Sequence, residues 1–310
     1  MLSDTPGIHH VTGLVGDAQE SLDFYVDVLG LRSVKRTVNF EDILQYHLYF
    51  GDEHGTPGSV FTVFPDPHGD PGRVGVPQIR SVGFAIPEDA VGYWRERLVE
   101  HDVETTTRFD ETAVRCTDPH GTEIELVTAS SSIAPWDGGS VPSEHGIRGL
   151  HGVTLLPTDP YATAGTLETL GFEFVGQETD RIRYRAAGDR ATVIDILDRD
   201  VPFGREGAGT IHHVAVRVES EAQLYEWREL FADRDYTVSR VKDRHFFRSL
   251  YVRGPGGILF ELATETPGVT AGEDPDSLGE SLFLPDWFEE DRELIESQLP
   301  ELTLPDKRET

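Results

Sequence analysis

The stretch IHHVTGLV at residue 8 returns as IRSVGFAI at 79, LHGVTLLP at 150 and IHHVAVRV at 211. Four similar strand openings in a chain of 310 residues constrain the fold more than any other feature, because a repeat at this period defines the supersecondary unit. After the first, second and fourth openings come segments with apolar residues at helical spacing: AQESLDFYVDVLGL, DAVGYWRERLVEHDV and EAQLYEWRELFADRDY. The third, PYATAGTLETLGFEF, is a weaker version of the same pattern. Each then gives way to alternating, β-branched stretches such as YHLYFGD, SVFTVFP, RIRYRAA and TVIDILD. Two module endings match in detail. TDPHGTEIELVT (117–128) and RGPGGILFELAT (253–264) each read as strand, Pro/Gly turn, and strand with an acidic residue near its end. The chain is therefore expected to be α+β, built from four βαβββ modules. Two modules fill an N-terminal domain at 1–129 and two a C-terminal domain at 149–268, joined by a Pro/Gly/Ser-rich linker at 130–148. An extension at 269–310 carries SLFLPDWFEEDRELIESQLPEL, which reads as an amphipathic helix packed on the outside.

Composition narrows the partners and the compartment. With 56 Asp and Glu against 27 Lys and Arg the net charge is −29, and only Lys35, Lys242 and Lys307 are lysine. A carboxylate-rich surface with lysine replaced by arginine suits a halophilic cytosol, where salt screens self-repulsion down to a few ångströms. Phosphate backbones would be repelled, so nucleic acid is not an expected partner. Nor is a membrane, since no apolar run reaches the roughly 18 residues that a span requires. The N-terminus MLSDTPGIHH lacks a basic segment followed by an apolar one, and the single Cys116 permits no internal disulfide. These features point to the cytoplasm. Cys116 itself lies in an apolar-alternating strand and reads as buried.

The modular pattern resembles the vicinal-oxygen-chelate superfamily of glyoxalases and extradiol dioxygenases, over about residues 7–266. That resemblance implies two paired curved-sheet domains, in which two modules together cup a divalent metal. Side chains alternate along a strand, so Ile8, His10 and Thr12 share one face of the first strand, and His9 and Val11 the other. In the later copy Ile211, His213 and Ala215 share a face. Aligning the module openings sets His10 against Ser81, Gly152 and His213, and the closing strands set Glu261 against Glu125. If modules one and four share a cup, it holds His10, His213 and Glu261. The other cup then offers Ser81, Gly152 and Glu125, a poor ligand set. Two imidazoles and one carboxylate form the facial triad of non-haem Fe(II) enzymes, and would also accept Mn(II) or another divalent metal such as Zn(II).

Arg244 and Tyr251 precede Glu261 in DRHFFRSLYVRGPGGILFE. A tyrosine hydroxyl there can bond a metal-bound oxygen, and a guanidinium can stabilise phenolate-like charge. A packed tyrosine and a solvated arginine fit the same residues. The resemblance becomes more specific across GIHHVT, FYVDVLGLRSVKRTVNF, YHLYFGDEHGTPGSVFTVFP and the Arg244–Glu261 stretch, which are similar to dioxygenases that open para-hydroquinones. It implies Fe(II) at His10, His213 and Glu261, with His9, Thr12, His212, Arg244 and Tyr251 around them. The expected activity is Fe(II)-dependent insertion of O2 into a hydroquinone-like diol. The expected partners are therefore a small aromatic substrate and O2, with assembly as a homo-oligomer. Two other readings compete. A glyoxalase-like isomerase or lyase would need a second carboxylate ligand, and none stands at Ser81 or Gly152. A non-catalytic binder of aromatic compounds would not need the triad.

Overall fold

The computed structural model describes residues 2–304. Module one runs β1 (Ile8–Val15), α1 (Ala18–Asp23), which continues as a wider helical turn at Phe24–Val28, β2 (Arg32–Asn39), β3 (Asp42–Gly51) and β4 (Val60–Pro65). Module two has β5 (Gln78–Ile86), α2 (Val91–Arg97), β6 (Glu104–Arg108), β7 (Glu111–Thr117) and β8 (Glu123–Thr128). Module three has β9 (Leu150–Leu156), α3 (Pro160–Thr169), β10 (Glu173–Glu178), β11 (Arg181–Arg185) and β12 (Val193–Leu197). Module four has β13 (Thr210–Val218), α4 (Glu221–Ala232), β14 (Thr237–Val238), β15 (Lys242–Asp243), β16 (Arg248–Arg253) and β17 (Leu259–Thr264). This is the α+β arrangement of four βαβββ modules that the repeats predict.

Local chemistry starts the helices. Asp17, Asp159 and Ser220 each sit in extended backbone and accept a hydrogen bond from the amide three residues on, capping α1, α3 and α4. The inward faces of α2 and α4 bury Trp94, and Trp227 with Phe231, against the outside of the sheets.

The pairing of β1 with β13 antiparallel joins module one to module four. In the same way β5 pairs antiparallel with β9 and joins module two to module three. Within each module the first and last strands run parallel, as β1 with β4, β5 with β8, β9 with β12, and β13 with β17. Each curved sheet thus joins a module from before the 130–148 segment to one from after it, and the Ile211–Ile79 bridge connects the two into one 17-stranded sheet among the described residues. The 130–148 segment is itself packed, with Ile133, Val141 and Ile147 buried.

Both central ladders carry two bulges at matching places. On β1, Ile8 faces Val216 and His10 faces Ala215, which leaves His9 as an extra residue; on β13, His212 is extra between the Thr12–His213 and Gly13–Ile211 pairs. The β5–β9 ladder repeats this, with Arg80 and His151 extra. Doubled histidines are thus bulge residues of an internal repeat.

The extension is less helical than its sequence predicts. Pro285 holds extended backbone, a short 3-10 turn follows at Asp286–Asp291, and α5 covers Arg292–Gln298, burying Ile295. Residues 305–310 of the extension lie outside the described part of the chain. No described helix is long and apolar enough to cross a membrane.

Candidate metal centre

The cup of modules one and four brings three strands to one point. His10 on β1 and His213 on β13 each approach Glu261 on β17, Nε2 to Oε2, at 3.0 and 2.9 Å. Their two Nε2 atoms are 3.2 Å apart. All three residues are buried, and no other group of three potential ligands is found among the described residues. Neither oxygen of Glu261 has a hydrogen-bond partner. A buried carboxylate with both oxygens unsatisfied is costly unless a cation meets it. Burial would push the Glu261 carboxyl up, but contacts with His10 and His213 hold it well below the usual carboxylate range. Burial likewise pushes His213 down to about 4, against the opposing pull of Glu261. A neutral imidazole facing an ionised carboxylate is the protonation state that a divalent metal requires. The donor set fits such an ion.

The bulges decide where the doubled histidines go. Strict alternation would turn His9 and His212 away from the cup. The extra residue instead brings His9 Nδ1 to 3.0 Å from His10 Nδ1, and His212 Nδ1 to 2.7 Å from His213 Nδ1. Burial, then the neighbouring His10, lowers His9 to about 3, so its ring is neutral and can accept a proton bond. An Nε2 that binds metal leaves its proton on Nδ1, where a partner fixes the ring's orientation. His212 is less enclosed and also faces Glu206 at 3.6 Å. Neither His9 nor His212 lines the pocket in front of the triad, and Thr12 does not either. Thr12 Oγ1 lies 3.1 Å from His213 Nε2 and 2.8 Å from Thr62 Oγ1.

Arg244 and Tyr251 do line that pocket. Tyr251 on β16 is directly opposite Glu261 in the β16–β17 ladder, and Arg244 Nη2 donates to its hydroxyl at 3.3 Å. Burial, then the Glu261 charge, pushes the Tyr251 phenol well above the usual tyrosine range. It holds its proton. Arg244 Nη1 also donates to Glu41 Oε1 at 3.1 Å.

Sequence reasoning missed a second set of lining residues. His47 and Tyr49 on β3 point into the pocket, along with Phe64 and Phe247. The Tyr49 hydroxyl is 3.0 Å from His47 Nδ1, and His47 Nε2 is 2.8 Å from Thr62 Oγ1. A continuous chain therefore runs from Tyr49 through His47, Thr62 and Thr12 to His213. Burial, then the neighbouring His10 and His213, holds His47 well below the usual histidine range. The alternation in YHLYFGD puts His47 and Tyr49 on one face, and that signal was available; which face meets the cup was not.

In the other cup Ser81 Oγ donates to Glu125 Oε2 at 3.4 Å, and the Arg108 guanidinium donates to the same oxygen at 2.5 Å. A Cβ at Gly152 would collide with the Val193 carbonyl. Here an arginine supplies the positive charge beside the glutamate, and no histidine fits.

Comparison with known proteins agrees with this geometry. The model of the Glyoxalase/Bleomycin resistance protein/Dioxygenase superfamily matches residues 7–126 and 158–262. The "Putative ring-cleaving dioxygenase MhqO" of Bacillus subtilis (strain 168) is 42% identical over 303 residues, covering 96% of this chain and 97% of the relative. The "Chlorohydroquinone/hydroquinone 1,2-dioxygenase" of Sphingobium indicum is 34% identical over 289 residues, covering 88% and 89%. A crystal structure described as "putative dioxygenase from Bacillus subtilis subsp. subtilis str. 168" superposes with a TM-score of 0.94 at 41% identity, covering 98% of this chain and 99% of that one. Glyoxalase I from Zea mays superposes with a TM-score of 0.62 at 14% identity, covering 84% and 92%, a likeness of fold alone. The chain belongs to the Glyoxalase/Bleomycin resistance protein/Dioxygenase superfamily, among its ring-cleaving dioxygenases.

Proposed function

We propose that the protein opens a hydroquinone-like aromatic diol with O2, using Fe(II) held by His10, His213 and Glu261. The observation that carries this reading is the buried Glu261 carboxylate, unbonded at both oxygens and facing two Nε2 atoms within 3.0 Å. Two imidazoles and one carboxylate leave coordination positions free for both reactants, the arrangement suited to iron–oxygen chemistry. Bound there, Fe(II) supplies the electron path between the diol and O2. A glyoxalase-like reaction lacks its second carboxylate, since among the described residues Glu261 is the one acidic side chain lining this pocket.

The chain's own residues divide the remaining work. His9 and His212 accept the Nδ1 protons of the two ligand imidazoles and keep Nε2 turned inward. Tyr251 holds a proton above the triad and can hand it to oxygen as negative charge builds there. Arg244, 3.3 Å behind the Tyr251 hydroxyl, keeps a fixed positive charge at that end of the pocket. Phe64 and Phe247 give the ring apolar walls that exclude water. His47, neutral and bonded on both nitrogens, holds the Tyr49 hydroxyl in place at the pocket wall.

The test is to purify the protein without oxygen, measure its metal, reload it with Fe(II) and follow O2 uptake against a panel of catechols and hydroquinones. The expected result is about one iron per chain and one O2 consumed per hydroquinone, with an open-chain product that carries both oxygen atoms. Iron-loaded protein that consumes no O2 with any diol in the panel would refute the proposal.

A further inference from the structure

The pocket in front of the triad has a volume of about 30 Å³. That is room for about one water, whereas a cavity that takes up benzene is on the order of 150 Å³. A much larger outer cavity, about 410 Å³, adjoins it. Two side chains line both, Phe40 and Arg244. They form the partition.

The partition rests on a short turn. Phe40 and Glu41 are the two-residue turn between β2 and β3, closed by the Asn39–Asp42 pair. Glu41 holds this turn against module four through Lys242 at 2.7 Å and Arg244 at 3.1 Å. Its own side chain is 58% exposed, and ion pairs of that kind are weak. Phe40 meets Phe246, Trp287 and Phe288 at ring-centre distances of 6.1, 6.0 and 5.7 Å.

The outer cavity has recognition chemistry of its own. Phe40, Trp287 and Phe288 give it aromatic walls, and Arg240, Lys242 and Arg244 bring three cations against the two acids Glu41 and Asp243. In a chain of net charge −29, that is a local excess of positive charge. Trp287 is 49% exposed, so a large ring stands half open to solvent at the mouth. A flat ring bearing acidic hydroxyls would stack on these walls and direct its oxygens to the cations. We propose that the outer cavity is a docking site for the aromatic diol, and that Phe40 is the specificity-determining side chain it must pass to reach the triad. This rests on the dioxygenase reading above.

Two measurements test it. In metal-free protein, 2-fluorohydroquinone followed by ¹⁹F NMR should bind saturably, and Trp287→Ala should weaken that binding at least fivefold. In iron-loaded protein, Phe40→Ala should raise kcat/KM for 2-tert-butylhydroquinone relative to hydroquinone at least fivefold. Absent binding in metal-free wild type, undiminished binding in Trp287→Ala, or an unchanged ratio in Phe40→Ala would each overturn the proposal. Docking through Trp287 in a protein that consumes no O2 after iron loading would support the site and refute the dioxygenase reading instead.

Discussion

Glu261 concentrates the chemistry of the chain into one side chain, because a carboxylate buried to 1% exposure and unbonded at both oxygens has no satisfactory partner except a cation. His10→Ala and His213→Ala should each abolish stoichiometric metal binding, measured on protein purified without oxygen. Glu261→Gln should do the same. It removes the charge and nearly preserves the shape, so the circular dichroism of the metal-free variant should match that of metal-free wild type. Full iron occupancy in any one of the three variants would exclude that residue as a ligand. Tyr251 makes a different prediction. Its proton is held by burial and by the Glu261 charge, and it acts on charge that develops during reaction. Tyr251→Phe should lower kcat by about 10- to 1000-fold with little change in iron content or KM, because the ring still fills its place. Arg244→Lys keeps a charge but loses the fork that reaches both Tyr251 and Glu41, and should resemble Arg244→Ala more than wild type. A Tyr251→Phe enzyme with wild-type kcat would reduce the tyrosine to packing.

Strand register explains both what alternation could foresee and what it could not. The repeats align Ser81 with His213, and the ladders agree: Ser81 stands two residues before Gly83, the partner of Glu125, as His213 stands two before Ala215, the partner of Glu261. Those relations lie within one module or between copies of the repeat, so they are readable along the chain. The bulges are not readable, because the extra residue on β1 exists only relative to β13, two hundred residues away. They bring His9 and His212, which alternation alone turns from the ligand face, against the Nδ1 atoms of the ligand imidazoles. His9→Ala and His212→Ala should therefore retain metal but bind it about 10- to 100-fold more weakly, the range for a lost outer partner, as competition with a chelator would show. Phe40 was illegible for a related reason, since a turn residue gives no face until the elements around it are placed. The docking of the extension onto β2 carries its own test. Lys35 on β2 is fully buried between the rings of Phe246 and Phe283, at 4.0 and 4.1 Å, and pairs with Glu273 of the extension. Burial, opposed by Glu273, pushes it down from 10.5 to about 8. Between those values the unfolded chain binds more protons than the folded one, so stability rises with pH. The unfolding free energy of wild type relative to Lys35→Met should increase from pH 8 toward pH 10, by roughly 3 kcal/mol at most. A difference that stays flat over that range would mean that the ion pair fully offsets burial.

At the scale of the whole molecule, electrostatics and topology pull in different directions. Closing the β1–β13 and β5–β9 ladders requires contacts at high sequence separation, about two hundred residues for the first and about seventy for the second, before either cup has a floor. Meanwhile 56 carboxylates against 27 basic residues repel one another as soon as the chain compacts. Some of that charge is consumed inside. Arg108, Arg181 and Arg183 meet Glu125, Asp195 and Glu111 in the second cup, and Arg80 and Arg115 share Glu123 beside it. The Glu125 and Asp195 pairs are largely buried and depend little on salt, while those of Glu123 are partly exposed. The remaining excess lies at the surface, where its cost is set by screening. Raising KCl from 0.1 M to 1 M shortens the Debye length from about 10 to about 3 Å, less than the spacing of most surface charges. The folded state should therefore gain stability steeply over this range, and below it should lose structure reversibly, with a circular dichroism signal that returns when salt is restored. Arginine in place of lysine on such a surface fits the same regime, since its weakly hydrated fork keeps its pairings when water is scarce. Magnesium-free potassium and sodium salts should act alike, because screening depends on ionic strength. A melting temperature that does not change between 0.1 M and 2 M KCl would show that the surface carboxylates are spaced widely enough to ignore one another, and would remove the case for a high-salt cytosol.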